Sequence, residues 1–533
     1  MQQDDNVNLP SRRALLAMIG QVAGGATMYQ AMSSMGHAAE SDYHGPVKLS
    51  NAKPGSTVLV LGAGLAGMTA AYELRAAGYK VRILEFNRRA GGRNWTLRGG
   101  DRYTELGGAT QTVSFAKGNY INPGPWRIPY HHHAVLDYCR RLGVALEPFI
   151  QVNYNAYLHN TQAFGGKPQR FRHVQTDLQG HVAELLAKAT NQGGLDQAVT
   201  KEDRERLLEG LKAWGTLDKE YRYVASSATS DKRGYEIDPG GGLMPLAKPS
   251  QPLGLNDILS SGMWAQVNAG NLYEFQSAIF EPVGGMDQIG KAFERELKPL
   301  IQYGAKVTKI EQSASKVTVT WVDADKGGAA RQASADWCVC TIPLSILSQI
   351  DVQVGEPMRD AIAAVPYGAS VKVGLEFKRR FWEQDELIYG GVTQTNLPIR
   401  NISYPSTGFF SKGPGVLLGC YAFDNVHAFR LTAMSPEERV QAALEMGAQI
   451  HPQYKQEFKT GVSVAWNRVP FINGCYGRWT DALREQHYKN LCAIDGRIVL
   501  AGEHASYIPA WMEGAILSAL DAIQRLHAKA QAA

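Results

Sequence analysis

TVLVLGAGLAGMTAAYELRAAGYKVRILEFNRRAGGR, residues Thr57 to Arg93, is the stretch that decides the fold. Val58 to Leu61 is an apolar run with β-branched valines and reads as a buried strand. Gly62, Gly64 and Gly67 then spell G-x-G-x-x-G, and Met68 to Ala77 has the composition of a helix that ends at Gly78. A second strand, Lys80 to Leu84, ends in Glu85. Gly62 allows a tight turn, Gly64 lets the backbone approach a pyrophosphate, and Gly67 lets helix and strand pack closely. The helix N-terminus, with its free N–H groups and its dipole, favours an anion. Glu85 is placed to accept hydrogen bonds from a ribose. A lone glycine motif says little. Strand, turn, helix, strand and acid in register predict an adenine-dinucleotide unit.

The composition is compatible with that reading. At 533 residues the chain predicts two to four domains. Hydrophobic content of 44% and charged content of 20% fit a globular protein with a large core. Net charge is +5, from 55 basic and 50 acidic residues, too balanced to point to nucleic acid. No apolar run is long enough for a membrane span. The six cysteines form no C-x-x-C pair and read as separate buried thiols. His131-His132-His133 is not expected to bind metal, because three successive helical residues cannot face one ion. A helix start near the substrate mouth is the better account, with His133 toward it.

Further along, Ala134 to Leu142 and two charged segments within residues 181–225 have helical spacing. Residues 238–252 are a Gly/Pro-rich loop. Strand patterns fall at Ala305–Ile310, Lys316–Val322, Trp337–Thr341, Val371–Phe377, Val416–Phe423 and Arg497–Leu500, and a last helix begins near Met512. The fold class expected is α/β. A discontinuous Rossmann-like domain would take residues 50–125, 278–345 and 461–530. A substrate domain with a mixed sheet and a helical lid would take 126–277 and 346–460.

The N-terminus, residues 1–39, resembles a twin-arginine export signal, with Ser11-Arg12-Arg13 before a mildly apolar stretch and small residues at Gly36 and Ala38. A periplasmic or secreted location follows from that reading. A cytoplasmic protein with an incidental arginine pair is the alternative.

From about residue 55 to 525 the chain resembles the flavin amine oxidases, a family that includes monoamine, polyamine and L-amino-acid oxidases. The resemblance is carried by Arg88 to Arg93, Glu105-Leu106-Gly107-Gly108-Ala109, Pro282 to Met286, Thr341 to Leu344, Leu500 to Glu503 and Trp511 to Ala515. It implies FAD, held by Gly62, Gly64, Gly67, Glu85, Arg88, Gly92, Arg93, Gly108, Ala109, Val307, Trp466, Gly502, Glu503, Trp511 and Met512. Cys475, in Asn473-Gly474-Cys475-Tyr476, matches a cysteine that monoamine oxidases bond to the flavin. It is either such a linkage or a small buried thiol. The second reading, with FAD bound non-covalently, is preferred.

Two segments are similar to those of bacterial L-amino-acid oxidases. In Gly124-Pro125-Trp126-Arg127-Ile128-Pro129 the resemblance makes Arg127 the holder of a substrate carboxylate, for which a planar fork of donors is suited. In Tyr367 to Lys372 it places Lys372 near the flavin, holding a water and handling protons. Tyr421 resembles a second carboxylate partner, with Cys420 as the alternative at that place. Tyr476 and Trp511 resemble two aromatic walls that align the substrate. The implied reaction is oxidative deamination of an L-amino acid by O2, giving a 2-oxo acid, ammonia and hydrogen peroxide. A monoamine or polyamine oxidase, or a flavin monooxygenase giving amides, are the rivals. The aromatic walls lean toward apolar and aromatic substrate side chains. A homodimer is the default assembly.

Overall fold

In the computed structural model the described residues are 41–194 and 200–532, so the export-signal reading of residues 1–39 lies outside them. The opening stretch forms the strand Thr57–Leu61, the helix Leu65–Ala76 and the strand Lys80–Glu85. These strands belong to a six-stranded sheet. Its order is Ile301–Tyr303, Lys80–Glu85, Thr57–Leu61, Trp337–Cys340, Ile498–Leu500 and Ile494–Asp495. All pairings are parallel except the last. The sheet thus gathers strands from widely separated parts of the chain.

Both faces of this sheet are covered, which is why its strands read as unbroken apolar runs. Val58, Val60 and Val339 point to one face, against Met68 and Leu74 of the first helix and Ile516, Ala519 and Ile523 of the C-terminal helix Met512–Ala532. Leu59, Leu61, Cys338 and Cys340 point to the other, against Val307, Ile310 and Trp321 of a four-stranded sheet. That second sheet includes Ala305–Gln312, Val317–Asp323 and Gly327–Ala335. The last of these strands, Gly- and Ala-rich and largely exposed, carries little hydrophobic signal in the sequence. Each fully buried Val or Leu contributes roughly 1.5–3 kcal/mol, so this double burial is the main source of the sheet's stability.

A seven-stranded sheet forms the other half. Its order is Gln169–Arg170, Tyr157–His159, Val392–Thr395, Asn401–Ser403, Gly415–Ala422, Val371–Phe377 and Phe458–Ala465. The long helices Phe171–Asn191 and Lys201–Gly215 pack on each other beside it through Ala183, Ala187, Leu208 and Leu211.

Parallel strands release their chains at the same edge. Gly62, Glu85, Thr341 and Gly502, which end or follow four neighbouring strands of the six-stranded sheet, all line one cavity there. This is the sheet edge where open α/β folds bind ligands. Gly67 lies beneath it, where a β-carbon would stand 2.0 Å from the Gly62 carbonyl oxygen. Gly67→Ala is therefore expected to cost roughly 1–3 kcal/mol through overpacking. A lower urea midpoint than the parent chain checks this, and an unchanged midpoint would refute the packing role.

Candidate active site

The cavity runs from the glycine turn of the first strand to the seven-stranded sheet. At the first end, Gly64 sits at the N-cap of helix Leu65–Ala76 with no side-chain cap. A β-carbon there would meet nothing within 4 Å, so the helix N-terminus opens into the cavity. Gly92 closes on the same loop, with its own β-carbon position 3.2 Å from the Gly64 Cα. Glu85 is buried and accepts hydrogen bonds from the backbone N–H groups of Ala63 at 2.6 Å and Asn87 at 2.8 Å. Val307, buried on strand Ala305–Gln312, forms part of the wall beside it.

In the middle, Arg93 donates through Nη1 to the Cys475 carbonyl at 2.8 Å and to Glu503 at 2.7 Å. Glu503 also accepts from the backbone of Gly477 and Ala510, at 3.2 Å each. Asn94 donates to the sulfur of Met512, at the start of the C-terminal helix. Gly502, at φ 141°, donates its N–H to Ser518 at 2.9 Å. Trp466 is buried, its ring N–H donating to the Pro123 carbonyl at 2.8 Å.

At the far end, strand alternation decides which side chains face inward. Lys372 pairs across the sheet with Tyr421, and both line the cavity. Cys420, one residue earlier, points the other way into a closed core. The period of two of a strand thus puts Tyr421, not Cys420, into the cavity lining. Lys372 is buried, and its Nζ donates to the Gly124 carbonyl at 2.6 Å and lies 4.4 Å from the Tyr421 ring centre. Burial pulls its pKa down to about 7; Cys475 opposes the shift and Arg127 reinforces it.

Arg127 is also buried, its guanidinium 4.7 Å from the Trp126 ring centre, 4.4 Å from Phe275 and 5.5 Å from Trp511. Aromatic faces attract a guanidinium and hold its plane in place. Tyr476 and Trp511 line the same space. His132 meets the Trp511 ring edge-on at 4.9 Å, and burial keeps it far below its ordinary pKa, hence neutral. It is His132, not His133, that lies inward; His133 is exposed at the helix start. Among the described residues no cluster of His, Cys, Asp and Glu could hold a metal ion.

Three residues expected at the cofactor lie elsewhere. Arg88 turns outward to Asp323 and Asp325, with which it forms ion pairs at 3.3 and 2.7 Å. Its neighbour Arg89 is the inward one, stacked 4.5 Å from Trp95 and donating to the Gly92 carbonyl. Counting back from Gly91-Gly92-Arg93 would have selected Arg89. Gly108 and Ala109 are exposed on the turn between the short strands Arg102–Thr104 and Thr110–Thr112. Glu105, in the same segment, takes both terminal nitrogens of the buried Arg439 with its carboxylate, at 2.8 and 3.1 Å. Cavity residues without any sequence motif include Gln151, Glu274, Phe275 and Gln394.

The family profile of flavin containing amine oxidoreductases matches residues 65–527, and the chain belongs to this family. The YobN protein of Bacillus subtilis (strain 168) is 30% identical over 477 residues, covering 87% of this chain and 93% of its own. An L-amino-acid oxidase of Siganus canaliculatus is 30% identical over 481 residues, covering 88% and 85%. Among solved structures, the cyclohexylamine oxidase of Brevibacterium oxydans IH-35A shares the fold. Its TM-score is 0.58 at 16% identity, over 90% of this chain and all of that one. The protein is an FAD-dependent amine oxidoreductase. The cavity fits FAD, because an uncapped helix N-terminus and a bare Gly64 face an elongated space that continues from Glu85 to Trp466. Among the described residues no helix is long and apolar enough to cross a membrane.

Proposed function

We propose that the chain catalyses oxidative deamination of L-α-amino acids, with dioxygen as acceptor. The observation that carries this reading is Arg127, a buried cation held among three aromatic rings inside the cavity. A plain amine has no anion to offer it; an amino acid has a carboxylate that a guanidinium can take in two parallel bonds. The names of relatives such as the Siganus canaliculatus enzyme support the same choice. Tyr421, beside Lys372, would be the second partner of that carboxylate.

When bound, FAD supplies the two-electron acceptor that is restored by dioxygen with release of hydrogen peroxide. The chain's own residues do the rest. Glu85, Val307 and the Gly62–Gly64 turn hold the adenosine and diphosphate end. Arg93, Trp466, Glu503 and Met512 hold the region nearer the substrate. Tyr476 and Trp511 bracket the amine, which fixes its orientation and strips water from it. No side chain at the site is needed as a strong base toward the α-carbon. The imino acid then hydrolyses to a 2-oxo acid and ammonia. FAD is held non-covalently in this reading, since burial pushes the Cys475 thiol up to about 11 and leaves it a poor nucleophile. A denatured sample should therefore release all its flavin, and a fluorescent protein band on a denaturing gel would refute this.

Arg127→Ala should raise KM for phenylalanine about a hundredfold, equivalent to roughly 2.7 kcal/mol of lost charge-assisted bonding. Peroxide release with phenylalanine but not with phenethylamine is the companion expectation. Equal turnover of both by the parent enzyme, or an unaltered KM in the variant, would favour a plain amine oxidase.

Lys372 holds a proton at Nζ below about pH 7 and loses it above, because its pKa is lowered to that value. The charged form stabilises the negative charge that dioxygen acquires during reduction. The kcat/KM for dioxygen should accordingly fall as pH rises through about 7. In Lys372→Met the value should be at least about tenfold lower at pH 6 and the pH step should vanish. A step that persists in the variant would assign it to another group.

A further inference from the structure

The substrate end of the cavity holds a carboxylate that the chemistry above does not use. Glu274 lies in the short turn Tyr273–Phe275 and lines the cavity next to Phe275, one of the rings around Arg127. It is 7% exposed. Its Oε2 is buried and accepts no hydrogen bond among the described residues. Gln151 lines the same cavity, and its Oε1 is likewise buried without a donor. Val152, next to Gln151, packs against the stretch Met263–Asn271 that leads into the Glu274 turn, its Cγ2 3.0 Å from the β-carbon position of Gly270. Gln394 and Asn401, paired across neighbouring strands, contribute two more amide side chains to the lining.

Buried acceptors without donors are costly, on the order of 1–3 kcal/mol each and more for a charged group. Burial raises the Glu274 pKa, while its own backbone N–H and the charge of Arg127 oppose that shift. A molecule that brings donors and a positive charge to this wall would offset the cost. Apolar and aromatic side chains would not.

We propose that Glu274 and Gln151 form a subsite for a cationic substrate side chain, making lysine and arginine the preferred amino acids. This rests on the amino-acid reading of Arg127 and refines it. The α-carboxylate goes to Arg127, the α-amine lies between Tyr476 and Trp511, and the distal ammonium or guanidinium donates to Glu274 and Gln151. Phe275 and Trp126 flank the aliphatic stem, as apolar surface commonly covers the methylenes of such side chains. The preference departs from the apolar and aromatic lean of the sequence, because Glu274 belongs to no motif and only the folded chain brings it to the cavity.

The test is peroxide release by the flavin-loaded enzyme over arginine, lysine, leucine, phenylalanine, glutamate, agmatine and cadaverine, with Glu274→Gln alongside. In the parent enzyme kcat/KM for arginine or lysine should exceed that for leucine at least tenfold, with glutamate lowest. In the variant the arginine-to-leucine ratio should fall about a hundredfold, mainly through KM for arginine. Leucine or phenylalanine preferred by the parent enzyme would overturn the subsite while leaving amino-acid oxidation standing. A uniform loss across all substrates in the variant would also overturn it, and would place Glu274 at the amine. Turnover of agmatine and cadaverine with no amino acid oxidised would remove the amino-acid reading and the subsite together. The parent panel decides the matter even if the variant fails to fold.

Discussion

The Arg93–Glu503 pair is the interaction on which the arrangement of the site depends. Glu503 is buried, and its two oxygens take the Arg93 guanidinium together with the backbone N–H groups of Gly477 and Ala510. Arg93 in turn holds the carbonyl of Cys475. Three segments of the chain, around Arg93, Cys475–Gly477 and Glu503–Ala510, are thereby joined at one carboxylate. Two of them carry Tyr476 and Trp511, both of which line the cavity. A buried carboxylate stripped of its cation is strongly destabilising, because neither water nor another donor replaces it. The pair therefore sets geometry at least as much as it adds stability.

Charge in the cavity is distributed unevenly. Lys372 and Arg127 bring two cationic side chains, and Arg127 helps lower the pKa of Lys372. Two buried like charges would be costly together, and the shift of Lys372 to about 7 relieves that cost near neutral pH. Arg127 has no such freedom, since a guanidinium keeps its proton. It remains a permanent charge in the cavity lining. Glu274, next to Phe275 in the cavity lining, brings a carboxylate near the same end. The lining thus carries side chains of both signs, Arg127 and Lys372 with Glu274.

The nucleotide half of the protein was legible in the sequence because local rules govern it. A parallel strand buried on both faces must be apolar throughout, and a backbone that approaches a phosphate must lack a β-carbon. Gly62, Gly64 and Gly67 follow from those requirements. Legibility failed where two adjacent residues of one type compete, as with Arg88 and Arg89. Only the acidic pair Asp323 and Asp325, more than two hundred residues downstream, draws Arg88 outward. It failed again at Gly108 and Ala109, which are exposed on a turn, while Glu105 of the same segment pairs with Arg439.

What the sequence determined by itself is the cofactor unit, the strand that carries Lys372 and the exposure of Arg127 to aromatic neighbours in Trp126. Each depends on residues within a few positions of one another. Whether Tyr421 or Cys420 faces the cavity was decided by pairing with the Lys372 strand, since side-chain direction alternates along a strand and register is a tertiary property. The position of Glu274 was decided the same way, by the turn Tyr273–Phe275 folding against the Arg127 segment. Its chemistry as a buried carboxylate with one oxygen left without a donor exists only once distant segments have closed over it.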